Sequence, residues 1–232
     1  MSRKLKKTIN DITQRSLITH KNPKSPISEQ YRTIRTNIQF ASVDENIKTL
    51  MVTSSGPGEG KSTTVANLAV VLAQQGKSVL LVDADLRKPT VHYTFKVSNV
   101  YGLTTVLTRQ GTLTSCIQKT NVPDLDVLPS GPVPPNPSEL LNSKTMEATL
   151  EDLKGTYEYI LFDTPPVLAV TDGQILANRC DGVVLVVTSG KTQNEGALKA
   201  KELLDNANSK IIGVVLNGKE KTDNTYYYYG TK

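Results

Sequence analysis

Three stretches of this chain place carboxylates or a lysine directly behind short apolar runs, and all three suit phosphate chemistry. The first is Ser55-Gly56-Pro57-Gly58-Glu59-Gly60-Lys61-Ser62-Thr63, which follows the run Thr49–Thr53. Its glycines let successive backbone N–H groups converge on phosphate oxygens, and a helix opening at Lys61 adds partial positive charge. In such a loop Lys61 would reach the β- and γ-phosphates of ATP, and the Ser62 hydroxyl would ligate Mg²⁺. The spacing is that of G-x-x-x-x-G-K-[ST], except that Ser55 stands where the first glycine is usual. The second stretch is Asp83-Ala84-Asp85 behind Val79–Val82, and the third is Asp163 behind Tyr159–Phe162. Two carboxylates two residues apart on extended backbone face the same way, so Asp83 and Asp85 could both address a metal or an incoming hydroxyl. A capping role, or pairing with Arg87, is the alternative for them. Asp163 fits a Mg²⁺-holding carboxylate, directly or through water, with a turn or cap residue as the alternative.

The elements that must position these groups are legible as punctuation. Apolar runs occur at Thr49–Thr53, Val79–Val82, Leu125–Leu128, Tyr159–Phe162, Val183–Val187 and Ile211–Leu216. Several are continuously apolar, as strands buried on both faces of a parallel sheet are. Helical patterns lie between them: Ser28–Ala41, Lys61–Gln75 ending at Gly76, a start at Asn136-Pro137-Ser138-Glu139, and a capping box Thr192-x-x-Glu195 before Ala197–Leu204. Strand–helix alternation over about 170 residues predicts a doubly wound, mostly parallel α/β sheet with helices on both faces, a P-loop NTPase fold. Ligands of such sheets bind beyond the carboxyl ends of the strands, which places all three stretches together.

Composition bounds the rest. A chain of 232 residues, 38% hydrophobic and 21% charged, suits one compact domain with appended arms. The division expected is a basic arm over residues 1–27, a nucleotide-binding domain over 28–218 and a flexible tail over 219–232. Residues 1–24 hold seven Lys/Arg against Asp11 alone, so the arm carries the excess behind the net charge of +5. Such an arm is either solvated or turned to an anionic surface, membrane or nucleic acid. No apolar run approaches the roughly 18 residues of a membrane span, and the N-terminus lacks a secretory signal's apolar stretch, so a cytoplasmic location is expected. Cys116 and Cys180 are too few for a disulfide framework or metal cluster and read as ordinary thiols. Tyr226, Tyr227, Tyr228 and Tyr229 stand together on the polar tail, where their phenols could accept phosphoryl groups. A sticky tail or a strand added to a partner is the other use of such a run.

Four features together resemble the bacterial tyrosine kinases, the BY-kinases, over roughly residues 25–230. Asp83-Ala84-Asp85-Leu86-Arg87-Lys88-Pro89 looks like their Walker A′ motif, beside Walker A at Ser55–Thr63 and Walker B at Asp163. Glu29-x-x-Arg32-x-x-Arg35 resembles their oligomerisation motif; without the resemblance it reads as a salt-bridge ladder on one helical face. Ser130-Gly131-Pro132-Val133-Pro134-Pro135-Asn136-Pro137 resembles their Pro-rich segment, and Tyr226–Tyr229 their C-terminal cluster. The form resembled is the separate cytoplasmic kinase of Gram-positive bacteria. The resemblance implies transfer of the γ-phosphoryl of Mg·ATP to tyrosine, with Lys61 on the phosphates, Ser62 and Asp163 on Mg²⁺, Asp85 sharing the metal and Asp83 orienting or deprotonating the phenol. It also implies an adenine contact at Asn217, a ring of subunits that phosphorylate one another's tails, and recruitment to the membrane's inner face by a membrane-anchored activator. Control of capsular or extracellular polysaccharide and phosphorylation of sugar-nucleotide enzymes follow from it, and no nucleic acid is expected. The rivals are a partition- or division-site ATPase switch and a weakly catalytic scaffold for polysaccharide export. The switch requires a second lysine five positions before Lys61, where this chain has Gly56.

Overall fold

The structure, a computed structural model, describes residues 17–41 and 47–219. The basic segment 1–16 and the tyrosine cluster lie outside the described residues. In chain order the elements are α1 (Ile18–Lys21), α2 (Pro26–Ala41), β1 (Thr49–Ser54), α3 (Lys61–Ala73), β2 (Val79–Asp83), α4 (Val91–Phe95), α5 (Leu103–Leu107), α6 (Leu113–Cys116), β3 (Gln118–Lys119), β4 (Leu125–Leu128), α7 (Pro137–Leu141), α8 (Lys144–Thr156), β5 (Tyr159–Asp163), α9 (Asp172–Ala177), β6 (Gly182–Thr188), α10 (Asn194–Asn206) and β7 (Ile211–Asn217).

All six apolar runs become strands of one seven-stranded sheet in the order β3-β4-β2-β5-β1-β6-β7. Every neighbouring pair is parallel except β3 with β4. Residues of β1 and β2 are buried throughout, because helices cover both faces. One face packs against α2, α3 and α4 through Ile38, Val65, Leu68, Val91 and Phe95. The other packs against the helices from α5 to α10 through Leu103, Leu141, Met146, Leu150, Leu176 and Leu204.

The helix α3 carries Lys61 and Ser62 and is buried almost all round, since α1 and α2 lie over its outer side. Residues 17–27, read from sequence as arm, belong to this packing. Thr19 is fully buried, and its amide and hydroxyl donate to Asn67 Oδ1 at 3.1 and 2.8 Å. Gln74 Nε2 returns a bond to the Thr19 carbonyl at 3.0 Å, so α1 is fastened along α3 by buried polar contacts. The helix ends where the sequence signals it, with Gly76 in the left-handed region at φ 74°.

Two local expectations give way. Thr192 and Glu195 form no capping box: α10 opens behind Gln193 without a side-chain cap, because the Thr192 hydroxyl is committed to Glu59. Asn136 does occupy the cap position of α7 with Pro137 next, yet its amide donates to Glu139 Oε2 at 2.7 Å rather than capping the backbone. The two-residue edge strand β3 has no counterpart among the sequence runs.

Candidate active site

The sheet order brings the three stretches together. β1 lies between β5 and β6, so the loop leaving β1 is flanked directly by Asp163, and β2 is one strand further. Asp83 and Asp163 are register partners on adjacent parallel strands. The phosphate loop turns through Gly58 (φ 72°) and Gly60 (φ 89°), both left-handed. A Cβ on Gly60 would sit 2.1 Å from Asn217 Nδ2, so space as well as φ demands glycine there. Ser55 stands in for the missing first glycine without strain: its φ is not positive, and its hydroxyl donates to Glu59 Oε2 at 3.1 Å. Glu59 is buried under the loop, and its carbonyl receives Asn217 Nδ2 at 3.0 Å. Through this bond the Asn217 amide nitrogen holds the phosphate loop, beside the adenine contact expected of the residue.

At the centre, Lys61 Nζ lies 3.2 Å from Asp85 Oδ2, 3.5 Å from Asp163 Oδ1 and 3.2 Å from Ser62 Oγ. Burial opposes the charge on Lys61, but Asp163 and Asp85 outweigh it and its pKa rises. One ammonium cannot neutralise three carboxylates, and the two fully buried ones, Asp83 and Asp163, are shifted upward. Burial and then Asp163 push Asp83 up to about 8, against the backbone bonds that favour its anion. Burial likewise raises Asp163, offset in part by Lys61 and the Ser62 hydroxyl.

The two Walker A′ acids are held differently. Asp83 Oδ2 accepts the amides of Thr90 and Val91, both at 2.9 Å, which fixes the start of α4. Asp85 Oδ1 accepts the Lys88 amide at 3.0 Å, and its other oxygen faces Lys61. Asp83 Oδ1 and Asp163 Oδ2 are buried with no hydrogen-bond partner. The unpartnered Asp163 Oδ2, with Asp85 and the Ser62 hydroxyl around Lys61, fits a divalent cation completed by substrate phosphates and leaves Asp83 Oδ1 for another use. Among the described residues no group of three or more His, Cys, Asp and Glu forms a metal cage by itself.

Arg87 pairs with neither Asp83 nor Asp85. Its guanidinium forks onto the fully buried Asp172 at 2.9 and 3.0 Å, and Ser138 Oγ donates to the same carboxylate at 2.5 Å. Burial works to raise the Asp172 pKa, but Arg87 and Ser138 bring it below its ordinary value. This ties the loop after β2 to α7 and α9, and nothing at residues 171–173 marked it in the sequence. The Glu29–Arg32–Arg35 stripe also divides. Glu29 and Arg32 pair at the surface, and Arg32 Nη2 reaches the Pro23 carbonyl at 2.8 Å. Arg35 Nη1 instead donates to the Val71 carbonyl at 2.8 Å, near the C-terminus of α3.

Comparison with known proteins agrees with this geometry. Residues 47–212 match the family described as an AAA domain. The chain is 56% identical over 229 residues to the tyrosine-protein kinase YwqD of Bacillus subtilis, covering 98% of this chain and 97% of that one. The crystal structure of the chimerical protein CapA2B2 superposes with a TM-score of 0.86 at 46% identity, over 88% of this chain and 90% of that one. A more distant neighbour is the septum site-determining protein MinD of Pyrococcus horikoshii, complexed with Mg-ADP, at a TM-score of 0.63 and 27% identity over 73% of this chain and 69% of that one. With its phosphate loop, its paired acids behind β2 and its end-to-end match to YwqD, the chain belongs to the bacterial tyrosine-protein kinases.

Proposed function

We propose that this chain transfers the γ-phosphoryl group of Mg·ATP to tyrosine hydroxyls, beginning with Tyr226–Tyr229 on the tail of a neighbouring copy. The observation that carries the reading is Lys61 set between Asp85 and Asp163, with the orphaned oxygens of Asp83 and Asp163 beside it. Mg·ATP, when bound, supplies the phosphoryl group and the divalent charge that one lysine cannot provide. The amides of Gly58 to Thr63 cradle the phosphates, and Lys61 draws off charge as the bond between the γ-phosphorus and the leaving oxygen breaks. Ser62, Asp163 and Asp85 would hold the metal. Asp83 is the proton acceptor once the divalent charge of Mg·ATP favours its anion: its Oδ1 is uncommitted, and the burial that lifts its pKa to about 8 in the nucleotide-free site makes the anion a stronger base. The phenol oxygen forms the new bond to phosphorus while its proton passes to that carboxylate.

Asn217 ends β7 against the phosphate loop, so the tail leaves the fold at the rim of the site. From Lys219 to Tyr226 the chain spans up to about 25 Å when extended, enough to reach an adjoining subunit. The exposed Glu29–Arg32 pair is the face offered to that neighbour in a ring. No helix among the described residues is long and apolar enough to cross a membrane. A membrane-anchored activator recruits the kinase to the inner face of the membrane, and its work is control of capsular or extracellular polysaccharide synthesis, with sugar-nucleotide enzymes among the substrates. The kinship with the tyrosine-protein kinase YwqD supports the phosphoryl transfer to tyrosine.

The test mixes two inactive halves. A chain with Tyr226–Tyr229 all changed to Phe keeps its site but has no acceptors, and Lys61→Met keeps its acceptors without a working site. Phosphotyrosine on the Lys61→Met chain only in the mixture, with Mg·ATP, supports transfer between copies. Its absence under conditions where wild type labels itself refutes that route.

A further inference from the structure

The loop joining β6 to α10, residues 189–193, touches the phosphate loop through side chains with no part in the chemistry above. Lys191 Nζ donates to the carbonyl oxygens of Pro57 and Gly58 at 3.0 and 2.8 Å. Thr192 Oγ1 donates to Glu59 Oε1 at 2.8 Å, on a residue only 5% exposed. The same threonine oxygen accepts the Thr188 amide at 2.8 Å, which leaves its single proton for Glu59. Thr188 Oγ1 donates to the Glu59 carbonyl at 3.0 Å, beside the bond from Asn217.

Every acceptor in this set is electronegative: three main-chain carbonyls and a carboxylate, all on a loop built to receive phosphate. Turned inward, any of them would repel the nucleotide. Held outward by donors, they leave the amides of the same peptide units free to face the phosphates. Space is reserved for the arrangement, since a Cβ on Gly58 would lie 2.8 Å from Lys191 Nζ. We propose that Lys191 and Thr192 are positioning residues of the nucleotide site, a clasp that keeps the phosphate loop's electronegative groups turned away and so presets its amides. The inference rests on the nucleotide-binding reading of Ser55–Thr63.

The test titrates the full-length chain with ATP in the presence of Mg²⁺, alongside nucleotide-free melting and the kinetics of phosphorylation. Lys191→Met and Thr192→Val should each weaken ATP binding roughly 5- to 20-fold, the scale of one lost hydrogen bond to a charged or buried group. The loss should appear in KM for ATP rather than in kcat, and Lys191→Arg should recover most of it. Because both residues act on one loop, the double variant should lose less than the product of the two single losses. Lys199→Met, on exposed α10 surface, should bind as wild type does. Affinities within twofold of wild type for both variants overturn the clasp. So does a weakening that Lys191→Arg does not rescue and that is matched by lower nucleotide-free melting. Wild-type protein that binds no ATP overturns the nucleotide-site reading itself, and the clasp with it.

Discussion

Replacing Asp83 with Asn should make the nucleotide-free kinase more stable while abolishing its activity, and the gain should depend on pH. Burial and the neighbouring Asp163 move this carboxyl from an ordinary 3.8 to about 8. The folded chain therefore keeps the proton to higher pH than the unfolded chain does. Below pH about 4 both states are protonated and the residue is neutral in its effect; the cost then grows until pH about 8 and stays level above it. At about 1.4 kcal/mol per pH unit the full span sets an upper limit of about 6 kcal/mol. Side-chain relaxation and water entering the cleft should leave about 3 kcal/mol. Asn retains an oxygen for the Thr90 and Val91 amides, and its NH₂ can serve the orphaned Asp163 Oδ2. Urea unfolding with EDTA and no nucleotide should thus show Asp83→Asn more stable by about 3 kcal/mol at pH 8 and by less than about 1 kcal/mol at pH 5. Tyrosine phosphorylation should be lost, a trade of stability against function. A variant less stable than wild type at pH 8, or a gain equal at both pH values, would refute the reasoning.

Three further outcomes follow from the geometry. Arg35→Ala removes the donor to the Val71 carbonyl and should lower monomer stability by about 1–2 kcal/mol. Glu29→Ala breaks only a surface pair and should cost under about 0.5 kcal/mol, yet light scattering should show it impairing self-association. Gly60→Ala should abolish ATP binding by titration, because φ is 89° and the new methyl would collide with Asn217; the shortened Asn217→Ala background should relieve the collision but not the backbone strain.

The buried strands were legible because a strand covered on both faces is apolar along its middle, as Leu50–Val52 of β1, Val79–Val82 of β2 and Ile160–Phe162 of β5 are. Strand β3 was not, since one half-buried and one exposed edge residue carry no periodicity. The phosphate loop and the acids behind β2 and β5 announced themselves by residue type and by their place at strand ends. What the sequence withheld were contacts made across long separations. Glu59 and Thr192 are 133 residues apart, and only the sheet order sets the loop after β6 beside the loop after β1. Arg35 read as one of three equivalent stripe residues until α2 was seen lying over α3. Asp83 was open to catalysis or to capping, and its two oxygens divide those uses: one caps α4, the other faces the site.

The most direct measurement is mass spectrometry of the tail peptide after incubation with Mg·ATP, for wild type and Lys61→Met, with and without the cytoplasmic segment of a candidate membrane activator. The account predicts phosphate on Tyr226–Tyr229 in wild type and none in Lys61→Met. A tail unmodified under every condition, despite measurable ATP binding, would contradict it and leave a nucleotide-dependent switch in place of a self-phosphorylating kinase.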